Sequence, residues 1–498
     1  MKSTFKPALL LMAGRMVAFA TTFFIPVVLV RVFDQTIFGT YKQVFLIFAT
    51  LFNLLQFGMA ESLYYFLPLT PQKAGHYAAN SLIILATAGI AGLGLLCWYS
   101  SEVAGLLGNP RLTAYIPYVG IYLLLSVASA VLEIVMTARK RFMATALAYA
   151  VSEMLRGAAF IIPALLFGEL RWLLFGAILF AALRLAATLV YLFREFKGEI
   201  FPEITTLKDQ LSYALPLAGS SLLADWSGQF HQYAVSHYFD AATFAVYAVG
   251  CLNIPLVELV HSPVSNVMMV RMAEELRDGQ SNAVLGVWND TTRKLALVFF
   301  PMLGLILVTA HELIVFLFTE SYVGSIPIFM IWSTTVLLPV LQTDSVLRVY
   351  AETGFLLFVY ALKLALTVAL IYWFISFFNV WGAAMVTVLA SFLAKILSLA
   401  RFKRLAHIGL ANLLPWKDLT LNLIVTVAAG TATMLLKSHL ETPVLLTLVL
   451  SGMSFGIIYV ALGFIFGLVT AEERQVLWRS LQRFPTRMTK VGHQIKEL

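Results

Sequence analysis

The feature that most constrains this chain is a succession of fourteen long apolar runs separated by short connections. Each run is about as long as the roughly 20 residues that a helix needs to cross about 30 Å of hydrocarbon. Strands are excluded, because an open sheet would leave backbone groups unsatisfied in lipid. The pattern therefore predicts an all-α integral membrane protein with about fourteen transmembrane helices. The runs are 8–32, 39–67, 77–99, 114–137, 143–168, 172–193, 211–238, 243–270, 293–318, 322–349, 355–378, 380–400, 419–437 and 443–469.

The composition agrees with this class. Hydrophobic residues make up 60% of the 498 positions and charged residues 12%, and the mean hydropathy is +0.87. A soluble domain is about one quarter charged, so a chain this apolar could not cover itself with polar surface in water. The two cysteines, Cys97 and Cys251, lie in separate apolar runs, and no CxxC or HxxxH spacing occurs. We therefore expect no cofactor, structural metal or disulfide framework.

Lysine and arginine are distributed unequally between alternate connections, which predicts the orientation of the chain. The connections on the side of the N-terminus carry most of them, whereas the alternate set holds only Arg31, Arg111, Arg171 and Lys437. Because basic residues favour the cytoplasmic side, we expect both termini in the cytoplasm. The basic tail, 471–498, could lie on the membrane as an amphipathic helix or extend into solution.

An internal repeat is the most specific signal in the sequence. FDQTIFGTY runs from Phe33 to Tyr41 after the first apolar run, and FDAATFAVY runs from Phe239 to Tyr247 after the seventh. Both follow F-D-x-x-x-F-x-x-Y, and an even number of spans separates them, so the two halves run in the same direction. We predict two pseudo-symmetric six-helix lobes, followed by two further helices. The expected segments are 1–200, 208–405, 415–470 and the tail 471–498.

Two further segments complete the pattern: ALLLMAGRMVAFATTFFIPVVLVRVFDQTIFGTYKQVF at the first span and FGMAESLYYFLP at the end of the second. With spans arranged as six, six and two, the chain resembles the polysaccharide transporter family over its whole length. These are the O-antigen and exopolysaccharide lipid-linked oligosaccharide flippases of the multidrug/oligosaccharidyl-lipid/polysaccharide exporter superfamily. The resemblance is specific for the superfamily and rests on architecture and on the patterns around Arg31–Tyr41 and Gly58–Pro68, not on a catalytic signature.

This resemblance implies transport of an undecaprenyl-diphosphate-linked oligosaccharide from the inner to the outer leaflet of the bacterial plasma membrane. It also implies that the first, second, seventh and eighth spans line a central cavity, and that a groove at the last two spans can take the lipid tail. The expected partners are the polyprenyl-diphosphate-linked glycan, membrane lipids and proteins of polysaccharide assembly. The eighth span has no arginine midway along it, which argues against the peptidoglycan precursor that a related flippase carries.

Polar and ionisable side chains concentrate on the spans that the repeat places between the lobes. Facing lipid, each ionisable group would cost several kcal/mol, so we expect these residues to converge on one water-accessible cavity. Hydrogen bonding from helix to helix is the alternative. The candidate cavity residues are Arg15, Lys42, Asn53, Gln56, Asp225, Gln229, Gln232, Glu258 and His261.

Three of these residues have a predicted role of their own. Arg15 lies about 10 Å inside the first span and is the best candidate to contact a diphosphate through charge-assisted hydrogen bonds, although it could also snorkel to the headgroups. The carboxylates of Asp225 and Glu258 could bind the coupling Na⁺ or H⁺, or could pair with His261 or a lysine.

The remaining intramembrane charges are expected to be structural. Arg184 and Lys395 lie near enough to the cytoplasmic ends of their spans to snorkel. Three carboxylates have a basic residue close by in sequence that can neutralise them. The expected pairs are Glu153 with Arg156, Glu133 with Arg139 and Asp344 with Arg348.

Two other functions stay open at this point. A cation-coupled drug exporter of the same superfamily usually has twelve spans, and a polytopic glycan polymerase or glycosyltransferase usually has a large outer loop. The sequence has no visible nucleophile–base arrangement, phosphate loop or metal constellation. We therefore predict a transporter and not an enzyme.

Overall fold

A computed structural model describes residues 5–197, 199–279, 281–439 and 442–468. Within these ranges the chain consists of α-helices and short 3-10 segments, without a β-strand. The all-α fold predicted from the apolar runs is therefore confirmed. The basic tail predicted at 471–498 lies outside the described residues.

A glycine breaks the second apolar run. Gly58 has a φ of +68° and divides the second apolar run into two helices. Its Cβ would lie 2.7 Å from the carbonyl oxygen of Ala214, so this left-handed, close-packed position requires glycine. The helices are α1 Phe5–Leu29, α2 Gln35–Gln56, α3 Met59–Leu69, α4 Ala74–Trp98, α5 Ser100–Leu106, α6 Ile116–Ala128, α7 Leu132–Ala138, α8 Phe142–Phe167 and α9 Leu170–Glu195.

The eighth apolar run is also broken in two. The chain leaves the helix after Gly250 and resumes it at Pro255, and the helices on either side meet at a bend of 47°. Proline lacks an N–H and begins a helix without losing a hydrogen bond. The remaining helices are α10 Ile204–Tyr238, α11 Ala241–Gly250, α12 Pro255–Arg277, α13 Ser281–Val308, α14 Ala310–Phe318, α15 Ile326–Ser333, α16 Thr343–Val349, α17 Thr353–Phe378, α18 Val380–Leu405, α19 Leu410–Leu413, α20 Trp416–Lys437 and α21 Val444–Ile465.

The number of membrane spans is close to the predicted one. Within the described residues, 11 helical segments are long and apolar enough to cross a membrane, and the bent pair of α11 and α12 brings the number to 12. The helix α1 adds the shorter apolar stretch Gly14–Leu29, and α10 has 35 residues with polar side chains along it. A count of fourteen requires α1 and α10 to cross as well, so the exact number stays a prediction.

The helices form two compact units. In the second unit α13 packs against α20, and Lys437 at the end of α20 forms an ion pair with Glu312 at 2.7 Å. The predicted lobe boundaries are not tested by this division and stay a prediction. The first unit contains Met1–Pro263, Ile314–Thr335 and Thr343–Phe402, and the second contains Val264–Leu313, Val336–Gln342 and Lys403–Leu498.

The two copies of the repeat motif have the same local structure. Asp34 caps α2 and Asp240 caps α11, and each carboxylate accepts the backbone N–H three residues later, at 2.7 and 2.8 Å. Hydrogen bonds from the side chain and the backbone N–H of Thr243 lower the pKa of Asp240, because they favour its charged form. We call this end of the first unit the aspartate end.

The helices α2 and α11 pack closely at the aspartate end. A Cβ on Gly39 would lie 1.7 Å from the carbonyl oxygen of Ala241, so only glycine permits this approach. The motif that reveals the repeat therefore also marks a contact between the two halves of the chain.

Two ion pairs with the same spacing in sequence occur in the two halves of the chain. Glu133 pairs with Arg184 at 2.9 Å, and Asp344 pairs with Lys395 at 2.7 Å; the partners are 51 residues apart in both cases. The expectation that these two cations snorkel is wrong, because each has a carboxylate partner inside the bundle. Arg139 in turn pairs with Glu195 instead of Glu133, at 3.4 Å.

Candidate functional site

The polar stripes of α2 and α10 face each other in the first unit. Thr50 donates a hydrogen bond to Gln229 at 3.0 Å, and Asn53 donates to Asp225 at 3.2 Å. From Thr50 to Asn53 the contact moves forward along α2, and its partner moves back along α10 from Gln229 to Asp225, as expected for antiparallel neighbours. The Tyr233 hydroxyl adds a hydrogen bond of 2.6 Å to Thr50. We call this hydrogen-bonded contact between α2 and α10 the seam.

Buried polar contacts also hold both ends of α10. Near the aspartate end, Gln43 donates to Ser236 at 2.8 Å and accepts from Asn109 at 2.6 Å. At the opposite end, Gln210 donates to Ser62 at 2.8 Å and to a serine of α4 at 2.7 Å. The helix α10 is therefore tied to the first half of the chain along most of its length.

A polar pocket of about 180 Å³ lies on one side of the seam. Its described lining contains two carboxylates and two amides and no basic side chain. Two carboxylates sharing a small intramembrane pocket repel each other, and a bound proton or cation relieves this repulsion. Amide and carboxylate oxygens also accept hydrogen bonds from hydroxyl groups. The pocket is lined by Asn53, Gln56, Gly58, Glu61, Ala218, Leu222 and Asp225.

An apolar groove of about 790 Å³ adjoins the seam helices nearer to the aspartate end. Ile47, Leu51 and Leu54 line it from one face of α2, at helical spacing, whereas Asn53 and Gln56 project from other faces of the same helix. The rest of its wall comes from α4, α5, α10 and α17. The seam residues Thr50 and Gln229 therefore line the apolar groove, and the seam residues Asn53 and Asp225 line the polar pocket.

Five of the nine predicted residues lie on the facing sides of the seam helices. Asn53, Gln56 and Asp225 line the polar pocket, and Gln229 lies at the edge of the apolar groove. Gln232 is half-buried and follows Asp225 by seven residues, which places it on the same face of α10. The amide of Gln56 donates to a backbone carbonyl of its own helix at 3.3 Å.

Two predicted cations contact aromatic rings. The guanidinium of the exposed Arg15 lies 5.4 Å from the ring centroid of Tyr149 on α8, and the ammonium of Lys42 lies 5.5 Å from the ring of Phe38. Arg15 is outside the lining of the polar pocket. The convergence of Arg15 on the same space stays a prediction.

The last two predicted residues form a pair of their own. Glu258 and His261 share a face of α12, with 3.8 Å between the carboxylate and Nδ1. Neither lines the polar pocket or the apolar groove. Among the described residues, no group of three or more His, Cys, Asp or Glu side chains could hold a metal ion.

A second intramembrane polar cluster joins α1 to α8. Arg156 forms an ion pair with Glu153, and both contact the hydroxyl of Thr22, at 2.7 Å from the guanidinium and 3.1 Å from the carboxylate. The predicted pairing of Glu153 with Arg156 is confirmed. Because these charges neutralise each other, we treat the cluster as structural.

The aspartate end is closed by contacts between the two halves. The guanidinium of Arg31 donates to the carbonyl oxygens of Phe316 and Leu317, at 2.6 and 2.7 Å, in the last turn of α14. Gln35 donates to the carbonyl oxygen of Ser321 at 2.5 Å. A cation at a helix C-terminus satisfies free carbonyls and the helix dipole. The sequence analysis read Arg31 only as an orientation signal and missed this role.

The apolar groove was also missed by the sequence analysis. Its walls contain Trp226, Phe230 and Tyr372 among many aliphatic side chains. In a chain with 60% hydrophobic residues, such side chains give no signal of a binding surface. Only the packing of five helices creates the groove.

The comparisons with known proteins agree with this architecture. A family model described as polysaccharide biosynthesis protein matches residues 28–327, more than half of the chain. The chain belongs to this family. No curated protein sequence matches it.

Solved transporters share the fold of this polysaccharide biosynthesis protein. A lipid II flippase MurJ in an inward closed conformation matches with a TM-score of 0.69 and 13% identity, over 91% of this chain and 98% of its own. An inward-facing multidrug resistance MATE family transporter of the MOP superfamily matches with a TM-score of 0.61 and 14% identity, over 78% and 94%. A MOP superfamily transporter from Pyrococcus furiosus reaches 0.55 and 14%, over 80% and 94%. These likenesses confirm the predicted fold.

Proposed function

We propose that this protein is a flippase for a polyprenyl-diphosphate-linked oligosaccharide, which it moves from the inner to the outer leaflet for O-antigen or exopolysaccharide synthesis. The observation that carries the proposal is a polar pocket where the end of α2 meets the middle of α10, in a polysaccharide biosynthesis protein. The pocket's amides and carboxylates offer hydrogen bonds to sugar hydroxyls, and a hydrophilic headgroup needs such a lining to cross the hydrocarbon. Transport requires no bond to be broken, so we assign no enzymatic step.

In this proposal both termini lie in the cytoplasm of a bacterium and the aspartate end lies on the outer side of the plasma membrane, an orientation that the distribution of basic residues supports. The contacts of Arg31 and Gly39 then close the outer end between the two halves. In our proposal this is one state of an alternating-access cycle, in which the halves part at the outer end to release the headgroup.

We propose different binding sites for the coupling ion and for the diphosphate. The carboxylates of Glu61 and Asp225 make the pocket acidic, so binding of Na⁺ or H⁺ lowers the cost of admitting an anionic lipid. Arg15, exposed on α1, is the proposed contact of the diphosphate. The glycan substrate is expected to be supplied and consumed by proteins of polysaccharide assembly.

The acidic lining also favours a second candidate, a drug exporter. An organic cation suits two carboxylates, and multidrug resistance transporters share the fold. The MATE family transporter, however, leaves about a fifth of this chain unmatched, whereas the lipid II flippase covers 91%. The family match to polysaccharide biosynthesis also favours the lipid-linked glycan.

The deciding experiment uses the purified chain in liposomes that contain a fluorescent polyprenyl-diphosphate-linked oligosaccharide. A membrane-impermeant quencher measures how much label changes leaflet, with and without Na⁺ or H⁺ gradients. We expect gradient-dependent exchange with the glycan lipid and none with a fluorescent drug cation. Transport of the cation alone would favour the drug exporter.

A further inference from the structure

We infer that Tyr65 and Tyr213 form a sugar-binding platform, on which the first sugar ring of the transported glycan stacks beside the polar pocket. This inference rests on the proposed function and adds to it a site for one chemical group, the C–H face of a pyranose ring. A pyranose needs hydrogen-bonding partners around its hydroxyls and an apolar surface against its C–H face. The amides and carboxylates of the polar pocket suit the hydroxyls, and the platform suits the C–H face.

The platform joins the two halves of the chain. Tyr65 belongs to α3 and Tyr213 to α10, and their rings stack with the centroids 4.8 Å apart and the ring planes at 11°. Stacking covers one face of each ring, yet the two residues remain 48% and 41% exposed. Much of the aromatic surface of the pair is therefore open to a ligand.

Two buried rings hold the platform in place from behind. The ring of Phe66 meets Tyr65 edge-on at 5.0 Å and Tyr213 at 5.7 Å. Phe66 in turn stacks on Tyr77 of α4 at 4.6 Å, and these two residues are buried. Edge-to-face and stacked contacts fix the orientation of aromatic rings. The platform is therefore formed before a ligand arrives, and binding orders few side chains.

Carboxylates on the same helix faces show that the platform borders a wet space. Tyrosines near the end of a membrane helix commonly lie among lipid headgroups. Here, however, Tyr65 follows Glu61 by four residues and Tyr213 follows Asp209 by four residues, so each tyrosine shares a helix face with a carboxylate. Both carboxylates are exposed, and Glu61 lines the polar pocket. A carboxylate facing lipid would be costly, so the face of α3 that carries Tyr65 borders the same water-accessible space as the pocket.

The platform lies on the side of the polar pocket away from the aspartate end. Along α10, the pocket residue Asp225 lies between Tyr213 and the last residue of the helix, Tyr238. The pocket residue Gly58 contacts the neighbour of Tyr213, since its Cβ would lie 2.7 Å from the carbonyl oxygen of Ala214. In the proposed orientation, a glycan lipid from the inner leaflet therefore meets the platform before its sugars enter the pocket.

The chemistry of the platform distinguishes the sugar from the rest of the substrate. The face of an aromatic ring is electron-rich and attracts groups that carry a partial positive charge. The C–H groups of a pyranose are polarised in this way by the oxygens of the ring, whereas those of a polyprenyl tail are not. The same face repels the oxygens of a diphosphate. Binding at the platform therefore depends on the sugar.

Binding measurements on the purified chain test the platform. The probes are polyprenyl-diphosphate-linked N-acetylglucosamine and the same polyprenyl diphosphate without a sugar. We expect Tyr65→Leu and Tyr213→Leu to raise the Kd of the sugar-bearing lipid several-fold and to leave the Kd of the sugar-free lipid unchanged. Tyr213→Phe keeps the ring and should restore most of the binding that Tyr213→Leu loses.

Phe193→Leu is the matched control for these variants. Phe193 is 56% exposed near the end of α9, and a short connection leads from α9 to α10, so it lies at the same end of the bundle as Tyr213. This substitution should change neither Kd. An unchanged Kd for the sugar-bearing lipid in both tyrosine-to-leucine variants, or an equal loss for the two lipids, would overturn the platform.

A photoreactive sugar tests the platform without any substitution. Polyprenyl-diphosphate-linked N-acetylglucosamine with a diazirine on the sugar is irradiated with the wild-type chain in liposomes, and labelled residues are identified by mass spectrometry. We expect label on Tyr65 or Tyr213 in several-fold excess over Phe193. Equal labelling of Phe193 would contradict the platform. The proposed function is judged separately, because it fails only if the wild type does not exchange the glycan lipid between leaflets.

Discussion

At the scale of single residues, the seam depends on pairing an amide with a carboxylate. Asn53 donates to one oxygen of Asp225, and both residues line the polar pocket. An amide cannot neutralise a carboxylate, so the charge stays available to a proton or cation. A lysine at position 53 would have formed a neutral pair, like those of Glu133 and Asp344 in the same unit.

Asp225→Asn tests this charge. It keeps the size of the side chain and a hydrogen-bond acceptor, so we expect the glycan lipid to bind while gradient-driven exchange is lost. Asn53→Asp combined with Asp225→Asn returns one carboxylate to the pocket and should restore part of the exchange. Binding is measured by labelling and exchange by fluorescence quenching. Undiminished, gradient-driven exchange in Asp225→Asn would rule out this carboxylate as the ion site.

Arg15 carries a separate prediction. Arg15→Ala removes the proposed cation for the diphosphate and should abolish surface glycan, although the protein still reaches the membrane. Arg15→Lys keeps a positive charge but loses the planar fork, so we expect partial activity. Complementation of a deletion strain, with immunoblots of membrane and surface glycan, measures both. Normal glycan with Arg15→Ala would remove this residue from the mechanism.

The buried pair of Glu133 and Arg184 predicts a stability effect. Glu133→Gln leaves the arginine without a counter-ion, which costs about 3–5 kcal/mol. Glu203→Gln breaks the exposed Lys73–Glu203 pair and should change the Tm in detergent little. Changing Glu133 and Arg184 together to Leu and Met should recover much of the loss. A Tm unchanged in Glu133→Gln would mean that the carboxylate is not required there.

At the scale of helices, glycine controls how closely elements approach. Gly39 brings α2 onto the backbone of α11 at the aspartate end, and Gly58 lets α2 turn into α3 beside α10. Both positions lie at the ends of α2, the helix that also carries one side of the seam. A small change at either end therefore changes the orientation of the helix that lines the pocket.

Gly39→Ala should loosen the aspartate end. Its Cβ would lie 1.7 Å from the carbonyl oxygen of Ala241, and such overpacking typically costs about 1–3 kcal/mol. We expect a lower Tm and faster thiol labelling of Gln35→Cys from the aspartate side. Gly94→Ala is the control, because no atom lies within 4 Å of its Cβ. Equal effects of the two substitutions would contradict the close contact.

At the scale of the whole molecule, hydrophobic periodicity and charge were enough to predict the fold. They were not enough to predict which side chains meet between helices. The F-D-x-x-x-F-x-x-Y repeat identified two equivalent helix caps at Asp34 and Asp240, because a cap is local in sequence. The partner of Arg184 could not be predicted, since Glu133 reaches it only after α7 packs against α9. The apolar groove could not be predicted either, since its walls come from five helices that meet only in the folded chain. Polar stripes were recognisable in sequence, but whether they pair or face water depends on the partner helix.

Orientation is the last prediction, because every statement about leaflets depends on it. The charge bias puts the α4–α6 connection outside and the α7–α8 connection in the cytoplasm. Gly108 is a poor labelling position, since its φ of +60° strains any other residue. Glu102→Cys, on the exposed surface of α5, should instead react with a membrane-impermeant maleimide in intact cells. Lys140→Cys should react only after the membrane is opened. The reverse pattern would place the aspartate end in the cytoplasm and invert the proposed direction of transport.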